Sequence, residues 1–562
     1  MVCVLVAVTR SAGDAIVVTR AMQASTVAEV FITEGEVRVT LEIGVTDVEA
    51  FGNLLPDALH GEIGLGDEPL AKRLPRFFAA DLVIRADGGD PIAGELLRIE
   101  VRRRVKRDEI TGEPIGDSDD GEVIVFAELA YPLPVRPWSL SVTPSLQRGT
   151  ANIGFMTWHE GLPVMDFRYL GGQETLDLDW DDPWYSKFRN RNLHRQFAAP
   201  LLGFLYVDPF EVRKEIVVRP RDLQLWVDLG LDDADVIPVA DQAAIKARAA
   251  EFLGGRCPVV IDGREIEPVL DRIHFIRRTL RTTGVIDPPM DLPAVSATLG
   301  VIFAYPVPGL PREVTMTWDL FSDRINRVPV VATDEAGGLP SLVTPDDPVL
   351  TWKNFLTRPT TTALVEIAAP PRGVSLIVPV LGVLSVMVAL ALVIRMIKTP
   401  SPVALLGTVV LLAASLLLWR GSRTAGEIPE AAAGEIMTGL LRNVYRSFDY
   451  RDEGDIYDTL DRSASGDLLT TIYLETRRAL ELENQGGARV KVTGVELVSS
   501  TTSPLDGEAG FESRCTWNVA GSVGHWGHIH QRRNRYEAVF TVKQVQGVWK
   551  ITELELLGEQ RL

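Results

Sequence analysis

Three of the chain's seven histidines, His525, His528 and His530, fall within six positions of one another in the stretch GSVGHWGHIHQRRNRYEAVF (521–540). Three imidazoles at that spacing can hold zinc, because three nitrogen ligands leave one coordination position open. The same stretch carries Trp526, Arg532 and Arg533, and tryptophan and arginine are enriched at the energetic centres of protein interfaces. The neighbouring arginines repel a cation, and no acid stands close by to accept the second ring N–H of a metal-bound histidine. The residue types therefore favour a partner-docking surface made of His525, Trp526, His528, His530, Arg532 and Arg533. Zinc on His525, His528 and His530 is the alternative, and a plain structural turn the third reading.

A second cluster lies in DLDWDDPWYSKFRNRNLHRQF (177–197). Asp177, Asp179 and Asp181 alternate along the chain beside Trp180 and Trp184. Carboxylates at alternate positions suit calcium, and indole rings beside acids suit a sugar ring. The spacing lacks the glycine and the distal glutamate of a calcium loop, so an acidic linker after a last strand is favoured over calcium or glycan binding.

The elements that must carry these residues come from an internal repeat. AEVFITEGEVRVTLEIGVTDVEAF (28–51) returns as GFLYVDPFEVRKEIVVRPRDLQLW (203–226), an offset of 175. That offset pairs Asp47 with Asp222 and Asp87 with Asp262. One residue out of step, Tyr131 pairs with Tyr305 and Pro132 with Pro306, and further on Asn152 with Asn326 and Trp180 with Trp352. Alternating apolar residues at Val37, Val39, Leu41 and Ile43 predict a strand. Asp47 stands where it would cap a short helix over 48–59, and Asp-Gly at 87–88 and 262–263 marks turns. Two tandem β-rich, sandwich-like units with a small helical insert are expected over 28–195 and 203–360. The acids and tyrosines common to both copies have cap, turn and packing roles, and neither copy holds a nucleophile elbow, a phosphate loop or a dinucleotide fingerprint.

With 562 residues, 46% apolar content and 24% charged residues, the chain can build several packed cores. Its net charge of −19 argues against nucleic acid as a partner. Cys3, Cys257 and Cys515 are too far apart for a paired framework. Residues 1–27 read as a signal or leader segment. Two uncharged runs, 374–394 and 403–419, predict a transmembrane α-hairpin, which would put both large regions on one side of a bacterial inner membrane, the periplasmic side being favoured.

Beyond them, EIMTGLLRNVYRSF (435–448) has apolar residues at helical spacing, and further helices lead to four strand-like runs ending in GVWKITELELL (547–557). Helices followed by a curved antiparallel sheet resemble the NTF2-like family and its Tim44-like relatives, over about 428–562. The resemblance implies an α+β cone that serves small-molecule enzymes, secretion-complex scaffolds or cargo binders. Enzyme members carry an Asp/His or Tyr/Asp set inside the cone; here Asp449, Asp452 and Asp455 stand at a helix junction, so no catalytic residue carries over. The expectation is a membrane-anchored extracytoplasmic scaffold that docks protein partners, without a cofactor unless zinc occupies the histidines. The rivals are a membrane-tethered enzyme using the cone, and an accessory subunit of a transporter.

Overall fold

The computed structural model describes residues 20–105, 121–145, 153–195, 198–231, 234–278, 283–356, 364, 367–369, 377–398, 405–413, 415–416, 428–450, 452–484, 490–505, 509–525 and 528–562. Among the described residues, helices are few before residue 377. The first unit runs through β1 (Thr26–Ile32), β2 (Glu36–Gly44), β3 (Leu82–Ala86), β4 (Glu95–Arg103), β5 (Val123–Pro132), β6 (Ser139–Pro144), β7 (Ile153–His159), β8 (Leu162–Pro163), β9 (Arg168–Tyr169), β10 (Glu174–Asp177) and β11 (Lys187–Phe188). The helices α1 (Asp57–Glu62) and α2 (Leu70–Arg76) lie between β2 and β3.

The second unit runs through β12 (Leu201–Asp208), β13 (Glu211–Val218), β14 (Val236–Ile237), β15 (Val259–Ile261), β16 (Arg264–Glu265), β17 (Val269–Arg278), β18 (Thr283–Val285), β19 (Leu292–Pro293), β20 (Leu299–Pro306), β21 (Glu313–Thr317), β22 (Val328–Asp334), β23 (Gly337–Val343) and β24 (Val349–Lys353). Its helices are α3 (Pro220–Leu223) and α4 (Val239–Gly254).

The larger sheet of the first unit has the order β4-β5-β2-β1-β7-β8, and that of the second β18-β17-β20-β13-β12-β22-β23. Each contains one parallel pair, β1 with β7 and β12 with β22, in an otherwise antiparallel ladder. The registers coincide: Ala28 faces Phe155 as Gly203 faces Val330, and Val27 faces Glu42 as Leu202 faces Val217. Even the bulge recurs, between Leu96 and Arg98 in β4 and between Leu270 and Arg272 in β17. A bulge inserts one unpaired residue and strengthens the local twist, so both sheets bend at the same place. A smaller sheet, β11-β10-β6-β3 or β16-β15-β21-β24, faces each larger one. One apolar core joins the two layers in each unit, for example Leu41 and Leu129 with Leu140 and Leu176, and Ile216 and Phe303 with Val314 and Trp352. These are β-sandwiches.

Two local expectations change. Residues 45–54 form consecutive turns, so the helix expected over 48–59 shrinks to α1. Trp352 does not occupy the place of Trp180: it faces Val314 as Leu176 faces Leu140, and the pairing of tryptophans in sequence is a coincidence of composition.

The last unit holds helices Glu430–Arg446, Glu453–Asp461 and Gly466–Asn484, then a four-stranded meander of β25 (Val490–Pro504), β26 (Gly510–His525), β27 (His528–Val545) and β28 (Val548–Arg561). Met437, Leu440 and Val444 of the first helix pack on Cys515, Trp517, Phe540 and Val542 of the sheet. Residues 367–369 also belong to this unit. Ala369 N–H donates to Gly547 O at 2.9 Å, Trp549 N–H donates to Ile367 O at 3.0 Å, and Ala369 is buried in the same core. The apolar helices that follow therefore leave and re-enter a single folded unit, with Ile428 packed on its core at the return.

The expected transmembrane hairpin is not supported. The helix α5 (Ile377–Lys398) covers the first apolar run. The second run is helical over 405–413 and 415–416. Among the described residues no helix is long and apolar enough to cross a membrane. The placement as an integral inner-membrane protein, read from those two runs, falls with them. Of the expected leader, residues 1–19 lie outside the described residues, Arg20–Gln23 form a 3-10 turn, and Thr26 and Val27 already belong to β1.

Candidate functional site

The acidic stretch of the first unit folds against the second unit. Asp182 caps the 3-10 turn Pro183–Tyr185 by accepting from Trp184 N–H. Its carboxylate meets both terminal nitrogens of Arg219, one of them at 2.9 Å. Arg219 has 1% of its surface exposed and also donates to Asp222 at 2.6 Å and to Val295 O at 3.0 Å. Tyr185 O–H donates to Asp222 at 2.6 Å, and Asp179 pairs with Arg324 at 3.3 Å. Burial alone would raise the Asp182 carboxyl; the Arg219 guanidinium outweighs it and holds Asp182 below the ordinary carboxylate range. The two sandwiches are joined by a desolvated, bidentate ion pair, with the Trp184 and Tyr185 rings beside the guanidinium.

The other residues of that stretch are also committed. Asp177 pairs with Arg189 at 2.9 Å. Trp180 Nε1–H donates to Pro137 O at 2.6 Å, and Trp184 Nε1–H donates to Ala198 O at 3.2 Å with Arg195 stacked on its ring. Asp181 contributes its main-chain carbonyl, which accepts from Arg221 at 3.3 Å. Sequence reading missed His159. It is wholly buried edge-on against Trp180, with Nδ1 2.7 Å from Ser186 Oγ, and burial lowers its pKa to about 4, against the opposing pull of Asp179.

A larger site lies where the second sandwich meets the last unit. The turn between β12 and β13 carries Phe210 at φ 68, with its ring 5.2 Å from that of Tyr450 and under the Arg446 guanidinium. Arg446 in turn pairs with Asp449 at 3.0 Å. Beside this contact opens a cleft of about 910 Å³. Tyr206, Asp208, Glu211, Arg213, Asp334 and Glu335 line it from the sandwich, and Asp449, Gly521, Gln531, Arg532 and Arg533 from the last unit.

The histidines lie next to this cleft in the ladder. His525 pairs with His528 and Val523 with His530, so His525, His528 and His530 occupy one side of the β26–β27 hairpin. Trp526 lies outside the described residues, as do the side chains of the three histidines. Arg532 and Arg533 are described and line the cleft. Arg533 donates to Glu496 at 2.6 Å. Asp452 caps the helix Glu453–Asp461, accepting from Gly454 and Asp455 N–H. No group of three or more histidine, cysteine or carboxylate side chains placed to hold a metal ion occurs among the described residues.

Compared with known proteins, no family model matches the chain and no curated protein does. Among solved structures, the intermembrane space region of chloroplast protein ARC6 matches at 22% identity, covering 24% of this chain and 98% of that chain, with a TM-score of 0.16. A likeness at that score bears neither on fold nor on function.

Proposed function

We propose that this protein is a scaffold that holds protein partners, with a docking surface at the cleft between the second sandwich and the last unit. The observation that carries the reading is the Arg219–Asp182 clasp. A desolvated, bidentate pair between two tandem units fixes their orientation, which a protein presenting surfaces at set distances requires. Duplication favours the same reading, since one sandwich with one register is used twice as a structural module. Arg532 and Arg533, expected from sequence at a docking surface, stand on the cleft wall.

The test is site-specific photocrosslinking in cells that make the chain. A photoreactive residue in place of exposed Gln531 on the cleft should give one protein adduct of discrete mass, and the identified partner should bind the purified chain in fixed ratio. The same residue at Glu62, exposed on the first unit, should give none. A smear at both positions, or no adduct at Gln531, would overturn the proposal.

A further inference from the structure

The charges around the cleft are not equivalent. Asp334 accepts from Trp352 Nε1 at 2.9 Å, and Asp449 pairs with Arg446. Glu211 lies 3.7 Å from Arg213, whose guanidinium is buried between Glu211 and Glu215. Asp208 and Glu335 each have a partner as well. Arg533 is held by Glu496. Arg532, half-buried on the cleft wall, is the charged lining residue that forms no ion pair or side-chain hydrogen bond among the described residues. A partly desolvated guanidinium without a counter-ion is a strong site for a planar anion.

The main chain beside it lies near the start of β27. The β27–β28 ladder begins at Asn534, opposite Arg561, while β27 itself starts six residues earlier, at His528. Over 528–533 the far side of β27 receives one described backbone contact, from Leu562 N–H to Arg533 O at 2.9 Å. A strand edge next to a pocket is the arrangement by which sheets take up extended peptides, with main-chain bonds giving affinity and alternate side chains giving specificity.

Resting on the scaffold reading, we propose that the cleft receives an extended, otherwise uncharged segment of the protein partner, laid along the β27 edge at Gln531 and Arg532 with its one carboxylate paired to Arg532. The lining argues for a single carboxylate over a phosphate group. It holds five acids against three arginines, and a dianion would meet that excess negative charge.

The experiment uses the full chain and a set of end-blocked, rhodamine-labelled peptides with one glutamate moved through a Thr/Val background. Each is matched by a peptide with glutamine in its place, and fluorescence anisotropy reads binding. At least one glutamate peptide should bind ten-fold or more tightly than its glutamine match. Arg532→Gln should abolish that difference, while Arg532→Lys, which keeps the charge and loses the planar fork, should retain part of it. Circular dichroism confirms that the variants fold, and inorganic phosphate should compete poorly. Binding that ignores the glutamate, or survives Arg532→Gln unchanged, overturns the assignment. So does the absence of glutamate-dependent binding up to millimolar peptide. If the Gln531 adduct forms while the peptides fail, the carboxylate-segment assignment falls and the scaffold stands; if both fail, both fall.

Discussion

Arg219 of the second sandwich closes on Asp182 of the first with both terminal nitrogens of its guanidinium, in a site where Arg219 is buried and Asp182 is nearly so. Three further contacts on the same seam, Tyr185 to Asp222, Arg324 to Asp179 and Arg221 to Asp181 O, make the junction a set of directional bonds. Directional bonds fix an angle between units more tightly than a greasy contact does.

Breaking the clasp should be expensive. Arg219→Gln leaves Asp182 and Asp222 buried without their cation, and removing one member of a buried pair costs about 3–5 kcal/mol. Urea denaturation of the full chain should show that loss. Arg324→Gln, at a pair half open to solvent, should cost about 0–1 kcal/mol.

The buried histidine predicts an acid sensitivity. His159 is held down to about 4 by burial, against an ordinary value of about 6.5. Between those values the unfolded chain binds the proton and the folded chain does not, so stability falls as pH drops from 6.5 towards 4. His159→Asn, whose amide can still donate to Ser186, should flatten that part of the profile. His274, also lowered by burial, should supply the slope that remains. Thermal melts across this range give the answer, and an unchanged slope in the variant would remove His159 from the account.

At alkaline pH the sign comes from Lys214. It is fully buried, donates to Arg256 O at 2.5 Å and Cys257 O at 3.3 Å, and burial lowers it to about 8. Above that value the folded chain has released a proton that the unfolded chain keeps, so stability should rise from pH 8 to 9. Higher still the trend reverses, because burial pushes the Cys257 thiol up to about 12 and the unfolded thiol ionises first. Lys214→Met should remove the rise and cost about 1–3 kcal/mol at neutral pH, from two carbonyls left without a donor.

The turn aspartates should respond in parallel. Asp87 and Asp262 sit at φ 51 and 48, each followed by a glycine at positive φ. Asp87 accepts from Ser139 N–H, and Asp262 from both Arg312 and Glu313 N–H. Alanine at either place strains a left-handed residue and orphans those donors. Asp262→Ala should cost more than Asp87→Ala, each within about 1–3 kcal/mol, and asparagine should be tolerated at both.

These residues show what sequence could and could not reveal. The 175-residue offset is visible because strand registers are set by turns and alternation, and Asp-Gly turns are local signals. Lys214 was within reach: the offset pairs it with Val39, whose side chain faces the core of the other copy. The clasp was not. Asp182 and Arg219 are 37 residues apart, and nothing near VVRPRD marks its first arginine as the partner of an acid in another unit. The apolar runs at 374–394 and 403–419 led to a transmembrane expectation because hydropathy reports composition alone; among the described residues no helix is long and apolar enough to cross a membrane.

The most direct test of the scaffold claim is the mass of what the chain carries. The full chain should be isolated under mild conditions and its particle mass measured by light scattering on a sizing column, beside Arg532→Gln/Arg533→Gln. The account predicts one species heavier than the 61.7 kDa chain, with a partner in fixed ratio, and release of that partner by the double variant while the fold persists. A wild-type chain that runs alone at its own mass, or a partner that stays bound to the double variant, would contradict it.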